Sequence, residues 1–332
     1  MITKNEENNI ADCLNSVKDI ADEIIIVDTG SSDETKDVCK NFFINAKIFN
    51  YKIFDFEWVD DFSAARNESI KHATKGWILV LDADEIISAE DVSKIKSLVE
   101  SAEENLAGFA LEQRSYINNF FEGAIENNSD FEKVKQYPFY ISNFLVRLFR
   151  NNCGLYFKHR VHELIEESIA EKNLKYIKSD VVLHHFGSVK DEFYVRERAE
   201  QYSKIILNQL EEEPENARYN YQAGRMYVGK MDFGNALRHF QKVAKINTTY
   251  KLVFSEIAKI FLRMNDKNRA IEYFKKSMKY NPDNPSPANN LAVVYMSMGK
   301  FEQAKKILEE QLKKHNGNKA LKYNYDKLPK MN

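Results

Sequence analysis

The C-terminal half of the chain repeats at a fixed step of 34 residues. Gly224, Ala258 and Ala292 fall one step apart, as do Tyr227, Phe261 and Tyr295, then Ala236, Ala270 and Ala304, and Phe240, Phe274 and Leu308. A single closed core imposes no such step. Small and large apolar residues recurring in register at this length build stacked helix–turn–helix units: the small residues let helices approach and the large ones fill the groove. Pro214 and Pro282 stand two steps apart, where units end. The spacing predicts units over about 217–250, 251–284 and 285–318, with 189–213 as a helical pair or partial repeat leading into them. At least about three stacked units are needed for such an array to hold a continuous core, and this chain has them.

The first half follows another grammar. Ile10, Leu14, Val17 and Ala21 share one helical face. EIIIVD at 23–28 is a β-branched run suited to a strand buried on both faces. Ser31 with Glu34 matches a capping box, so a second helix is expected there with Val38 and Phe42 inward. Residues 46–49 are a candidate strand, 63–75 a helix and WILVLDAD at 77–84 the next buried strand, with Ser88 and Asp91 capping the helix after it. Strands alternating with helices predict a mainly parallel α/β sheet. AGFALEQRSYI and NFLVRLFRN read as further strands, and 118–137, without a clear period, as a mobile loop over a site.

The chain has 332 residues, which at roughly 100–200 per domain suggests two domains. Its net charge of −2 argues against a general attraction to nucleic acid or to an anionic membrane. Cys13, Cys39 and Cys153 are sparse and odd in number, which reads as reduced thiols in a cytoplasmic protein. No apolar run approaches the roughly 20 residues that span a bilayer.

The chemistry concentrates where strands end. ILVLDADE at 78–85 drives an apolar run into Asp82, Asp84 and Glu85. The C-terminal edge of strands in an open α/β sheet is where ligands bind. Residues two apart on a strand share a face, so Asp82 and Asp84 could address one divalent cation carrying a diphosphate; the alternative is a solvated turn capping the next helix. Asp28 ends another strand beside free backbone amides and could receive a base N–H or a ribose hydroxyl, or merely cap. KHRVHE at 158–163 supplies His162 and Glu163 as candidates for the base that removes an acceptor proton. LHHFG at 183–187 supplies His184 and His185, and Arg147 and Arg150 are either diphosphate partners or exposed strand charges.

TKNEEN, IIIVDTGSSDET, FEWVDDFSAARNES and WILVLDADE occur in that order, and with them residues 1–188 resemble the family 2 glycosyltransferases. The 34-residue units resemble tetratricopeptide repeats. The expected fold is therefore a GT-A domain (α/β, Rossmann-like, mainly parallel sheet) over 1–188, then an all-α tetratricopeptide-repeat domain over 189–332. The DTGS variant, DDFSAARN and the later VHE, joined to repeats, are similar to the subset that includes sublancin-type bacteriocin peptide glycosyltransferases. The resemblance implies an inverting enzyme that uses a UDP-sugar and Mn²⁺ or Mg²⁺. It implies nucleotide-sugar contacts at Thr3, Glu6, Asp28, Arg66 and Asp82, metal ligands at Asp84 and His185 with His184 as runner-up, and Glu163 as base with His162 on the acceptor or diphosphate. Asn67, beside Arg66, reads as a cap. Thr29 stands where the family often has a second Asp, which leaves part of base recognition open. The family carries a full hydrophobic strand ahead of TKNEE, so the first strand is expected as a stub or the native start upstream of Met1.

The leading expectation is a cytoplasmic transferase moving a sugar to Ser, Thr or Cys of a peptide or protein held by the repeats, as a monomer or homodimer. A lipid-linked or envelope glycan as acceptor is the second reading. A repeat scaffold with a degenerate transferase domain is the third.

Overall fold

The computed structural model describes residues 1–120, 123–190 and 192–329. The chain divides into two compact units, Met1–Ile205 and Ile206–Asn332.

The first unit opens with β1 (Ile2–Thr3), α1 (Ile10–Val17), β2 (Ile24–Asp28), α2 (Thr35–Ala46) and β3 (Tyr51–Asp55). The three strands form a parallel sheet in the order β1-β2-β3, with Thr3 opposite Asp28. β1 is a two-residue strand. α1 buries Ile10, Cys13, Leu14 and Val17 against Ile24, Ile26 and Phe43 or the neighbouring core; Ala21 lies beyond its end. Two boundaries differ from expectation. α2 starts at Thr35 rather than at Ser31, because Asp28 draws Ser31 back through Oγ at 2.5 Å and N at 2.9 Å. Residues 46–49 are not a strand: α2 runs to Ala46, closes on Lys47 with φ 55°, and pairing begins at Tyr51.

Next come α3 (Phe62–Lys71), β4 (Trp77–Leu79), β5 (Glu85–Ile87), α4 (Ala89–Ser101), β6 (Leu106–Ile117), β7 (Ile125–Glu126), β8 (Phe139–Arg150), α5 (Glu166–Glu171), β9 (Lys175–His185) and α6 (Glu192–Glu212). The later strands make a six-stranded sheet in the order β4-β8-β6-β9-β5, with β7 on β8. Only β6–β9 in it is parallel. The domain is thus α/β with a parallel first part and a mixed, largely antiparallel second part, where a mainly parallel sheet was expected. Alternation of buried strands and helices held only to β4; β6, β8 and β9 are long strands joined without crossover helices between β6 and β8.

The strand expected over 77–84 breaks at Leu79. Glu85 Oε2 accepts from Asp82 N at 2.8 Å and Asp82 O accepts from Glu85 N at 3.0 Å, which folds the acidic run into a turn. Ala83, between the two aspartates, is buried in the α1–α2 core. Ser88 caps α4 as expected, its hydroxyl accepting from Asp91 N and donating to Asp91 Oδ2. In the segment expected as a mobile loop, 121 and 122 lie outside the described residues. The rest contains β7 and a short 3₁₀ turn at Glu132–Val134, tied by Asn127 Nδ2 to the carbonyls of Val134 and Tyr137.

The second unit carries α7 (Ala217–Gly229), α8 (Phe233–Ile246), α9 (Val253–Arg263), α10 (Lys267–Tyr280), α11 (Pro285–Met296), α12 (Phe301–Lys314) and α13 (Lys319–Asp326). The second helix of each pair starts one 34-residue step after the last, at Phe233, Lys267 and Phe301, while α9 starts at Val253, two residues past the expected 251. Ala236, Phe240, Ala258, Phe274, Ala292, Ala304 and Leu308 lie in one continuous core. The step also runs through the caps: Asp232 and Asp266 accept from the amide three residues on, and Asn216, Asn284 and Asn318 cap α7, α11 and α13. Each such cap is worth about 1 kcal/mol, so the repeat is written in polar residues as well as in apolar ones.

Candidate active site

The carboxylates of the acidic turn lie at the ends of β1 and β2, beside α3 and the end of β9. The chain turns after Leu79, so the shared strand face expected for Asp82 and Asp84 is not formed, and the two carboxylates have different partners. Asp82 accepts from Arg66 Nη2 at 2.7 Å and from Arg147 Nη2 at 3.0 Å. Asp84 faces His185 Nε2 at 3.7 Å, Lys190 Nζ at 2.7 Å and Arg198 Nη1 at 3.9 Å.

Around Asp82 the groups form a buried chain of charges. Arg66 projects from α3, whose start Asp61 caps, and donates through Nε to Glu163 at 2.5 Å. Arg147, on β8, also lies 3.6 Å from the fully buried Glu85, which receives Gln113 Nε2. Burial alone would raise the Asp82 pKa; the Arg66 and Arg147 guanidiniums outweigh it and hold the carboxyl well below the usual range. Arg150 is not part of this cluster. It donates to the carbonyls of Leu106, Ala102 and Glu103 and lies over the Trp77 ring, a structural tie between α4 and β6.

α3 also positions the KHRVHE segment. Asn67 is a clamp rather than a cap: its side chain accepts from Phe157 N at 2.7 Å and donates to Phe157 O at 2.9 Å. Lys158 and Leu164 close the segment by a reciprocal backbone pair, and His159 and His162 inside it take positive φ of 75° and 53°. The segment is a tight loop, not a strand. Glu163 points to Arg66, whereas His162 is exposed, with its ring 5.9 Å from that of Tyr202.

The two histidines of LHHFG have different fates. His184 is buried, bonded through Nδ1 to Tyr116 at 2.7 Å and packed against Phe131, and burial lowers its pKa to about 4. It is a neutral core histidine and does not reach Asp84. His185 is held through Nδ1 by Ser115 at 2.8 Å, which aims Nε2 at Asp84.

The remaining nucleotide-site candidates fall close by. Glu6 accepts from Lys190 Nζ at 2.6 Å and Tyr194 OH at 2.9 Å, while its amide donates to Thr35 at 2.7 Å. Asp28 is 1% exposed and its oxygens receive Gly30 N, Ser31 N and Ser31 Oγ, so it fixes its own turn, with Gly30 at φ 100°. Thr29, which takes the place of a second aspartate, donates through N and Oγ1 to Thr3 O and pins β2 to β1. Thr3 Oγ1, Arg66 Nη1 and Arg147 Nε are buried without a hydrogen-bond partner. Such atoms are costly to leave unpaired and mark a place where a polar ligand would be received.

Sequence reasoning missed four residues that follow the β9 histidines. Lys190, Tyr194, Arg198 and Tyr202 recur every fourth position, one face of a helix, alternating cation and aromatic. That period was visible, but the expected domain end at 188 set the segment aside as a linker. Arg198 Nε donates to Tyr202 OH at 3.1 Å, and Tyr202 packs edge-on against Phe62 of α3.

Among the described residues no three His, Cys, Asp or Glu side chains come together as a ready metal cage. Asp84 and His185 still suit Mn²⁺ or Mg²⁺, which often take few protein ligands and complete their shell with water and phosphate. The surroundings agree. A Cβ at Gly187 would stand 2.6 Å from His185 Nε2 and 3.0 Å from Asp84 Oδ2, so glycine keeps open the space beside the pair.

Residues 1–152 match the family model for glycosyl transferase family 2, and 261–323 match a tetratricopeptide repeat model. The N-terminal part of this chain is a family 2 glycosyltransferase domain. A TPR repeat-containing protein of Synechococcus elongatus is 30% identical over 82% of this chain and 63% of its own length. The prophage-derived glycosyltransferase SunS of Bacillus subtilis is 29% identical over 68% of this chain and 47% of its own length. The chain thus spans about half to two thirds of the curated relatives it matches. The crystal structure of MamA overlays on 40% of this chain and 74% of its own length at a TM-score of 0.35 and 17% identity. The family 2 match ends at 152, so Glu163, His185, Lys190 and Arg198 reach the domain's site from beyond it.

Proposed function

We propose that the chain is an inverting, metal-dependent transferase that moves a sugar from a UDP-sugar to a Ser, Thr or Cys side chain of a peptide or protein, with the repeats binding that acceptor. The observation that carries the reading is the Asp84–His185 pair, in a domain that also holds buried, partnerless polar atoms on Thr3, Arg66 and Arg147 and matches family 2. Asp84 and His185 would hold Mn²⁺ or Mg²⁺, which when bound neutralises charge on the departing diphosphate. Glu6, Asp28 and Thr3 line the nucleoside end, and Asp82 is positioned by Arg66 and Arg147 toward the ribose. Glu163, oriented by Arg66, takes the proton of the acceptor hydroxyl or thiol. Exposed His162 contacts the acceptor. No helix among the described residues is long and apolar enough to cross a membrane. With three unpaired cysteines, that favours a cytoplasmic site of action and a peptide rather than a lipid-linked acceptor.

The test is mass spectrometry of the purified chain with a panel of UDP- and GDP-sugars, Mn²⁺ or Mg²⁺ and Ser-, Thr- or Cys-containing peptides, with and without EDTA. Metal-dependent release of nucleoside diphosphate from one donor, with a hexose added to a peptide, is the expected result. Turnover that EDTA leaves untouched would remove the metal from the mechanism. Absence of any donor turnover, together with no nucleotide binding, would leave a repeat scaffold instead.

A further inference from the structure

Lys190 lies past the matched family 2 segment, yet its ammonium is held in the middle of the site. Nζ is 2.6 Å from Glu6 Oε1 and 2.7 Å from Asp84 Oδ2, and the side chain is only 11% exposed. Glu6 follows β1 and Asp84 follows β4, so one lysine draws together carboxylates from two separate strand ends. Tyr194 supports the arrangement by donating to the same Glu6 oxygen at 2.9 Å. Asp84 is only 4% exposed, so the ammonium at 2.7 Å is its nearest charge partner. The groups facing the ammonium are Glu6, Asp84 and Tyr194; Arg198 Nη1 reaches the same Asp84 oxygen at 3.9 Å, and His185 Nε2 faces the other at 3.7 Å.

The position is therefore a cation site that already holds a cation. A divalent ion on Asp84 and His185 would stand beside the Lys190 ammonium, and repulsion between the two in a buried site favours release of the more mobile one, the lysine. The polar group that can accept the displaced ammonium is the phosphate that arrives with the metal. We propose that Lys190 is a diphosphate-binding residue of the donor site, stored on Glu6 and Asp84 and handed to the diphosphate when a divalent cation takes Asp84. This rests on the donor-site reading above. It adds a specific expectation: without nucleotide, Lys190 and the metal compete, and with a diphosphate they cooperate. No bond is made or broken in the exchange; one ion pair replaces another.

The test is calorimetric titration of the full chain with Mn²⁺, UDP, GDP and uridine, comparing wild type with Lys190→Gln and Lys190→Arg. Lys190→Gln should bind Mn²⁺ alone at least about fivefold more tightly, because its competitor is gone. At saturating Mn²⁺ it should bind UDP about tenfold more weakly, the loss of one charge-assisted contact, while uridine is unaffected. Lys190→Arg should recover most of the UDP affinity. Equal or weaker Mn²⁺ binding by Lys190→Gln, or a UDP loss matched by uridine, overturns the proposal. Should Lys190→Gln not fold, the wild type labelled with ¹⁵N-lysine carries the test: one shielded ammonium resonance should move when UDP joins Mg²⁺ and stay in place with uridine. Its staying in place with UDP overturns the proposal. A wild type that binds neither UDP nor GDP sinks the donor-site reading and this one together; a wild type that binds UDP no better than Lys190→Gln sinks this one alone.

Discussion

Arg66 and Glu163 lie 97 positions apart in sequence and meet at 2.5 Å, with Asp82 on the other arm of the same guanidinium at 2.7 Å. Arg66 is thus the joint between α3, the acidic turn and the KHRVHE loop. Removing it leaves Glu163 without this partner and Asp82 with Arg147 alone, and breaking a largely buried pair from one side costs about 3–5 kcal/mol. Arg66→Ala should destabilise the first unit by that order. Arg66→Lys, which keeps the charge but cannot reach both carboxylates in one plane, should lose less. Both tryptophans, Trp58 and Trp77, are in this unit, so urea unfolding followed by tryptophan fluorescence isolates it. A loss under about 1 kcal/mol in Arg66→Ala would mean that Asp82 and Glu163 find other partners.

Gly187 predicts a loss of metal binding without a loss of fold. Alanine there would press its Cβ into the space between His185 Nε2 and Asp84 Oδ2, 2.6 and 3.0 Å away. Disturbing the groups that orient a metal ligand typically costs about 10- to 100-fold in affinity. Gly187→Ala should show that reduction in Mn²⁺ titration, and Asp84→Asn should abolish binding. The tryptophan-monitored unfolding midpoint of Gly187→Ala should stay near that of wild type. An unchanged Mn²⁺ isotherm in both variants would place the metal elsewhere.

The sequence made some of this legible and hid the rest for identifiable reasons. The helix pairs of the second unit were readable because their core positions recur every 34 residues, whereas 189–213, expected as a helical pair or partial repeat, holds among its described residues the single helix α6. In the first unit, periodicity located β2, α1, α3 and the Ser88 cap, because those depend on neighbours along the chain. It mislaid the start of α2, where Asp28 competes for Ser31, and the end of β4, where Glu85 folds the acidic run back on Asp82. Those outcomes turn on side chains bonding to backbone a few residues away, which a hydrophobic pattern does not record. The partners of the carboxylates were out of reach: Arg66 with Glu163, Asp84 with Lys190 and Ser115 with His185 are pairs that only the folded sheet brings together. Adjacent His184 and His185 part company because β9 sends one into the aromatic core and the other to the sheet edge.

Gly224 lets α7 approach Phe240 of α8 closely. A Cβ on it would lie 2.5 Å from Cε1 of Phe240, whose side chain is fully buried and has nowhere to go. The equivalent positions one and two steps later are Ala258 and Ala292, so alanine is not foreign to the motif. Alanine gains about 1 kcal/mol of helix propensity over glycine, but overpacking a closed core costs about 1–3 kcal/mol. Gly224→Ala should therefore be net destabilising, by about 1 kcal/mol, in urea unfolding of the repeats followed by far-ultraviolet circular dichroism. A gain in stability would mean that α7 and α8 separate slightly to admit the methyl group.

His239 gives the second unit a dependence on pH. Its Nδ1 lies 3.0 Å from Asn220 Oδ1, and Asn220 uses its amide nitrogen on the carbonyls of Pro214 and Asn216, so the histidine is the donor in that bond. The ring stacks on Tyr227 at 5.5 Å. Burial, with help from Arg238 and Lys242, lowers its pKa below the ordinary histidine value. The folded unit therefore prefers the neutral ring, and the unfolded chain takes up a proton first as pH falls below about 6.5. Between that value and the lowered folded pKa the unfolded state holds more protons, so stability falls with pH. Urea midpoints of the repeats, read by circular dichroism from pH 7.5 down to pH 5, should decline more steeply for wild type than for His239→Gln. Glutamine can keep the bond to Asn220 but cannot titrate, so parallel curves for the two proteins would show that His239 carries no proton linkage and that the decline belongs to other groups.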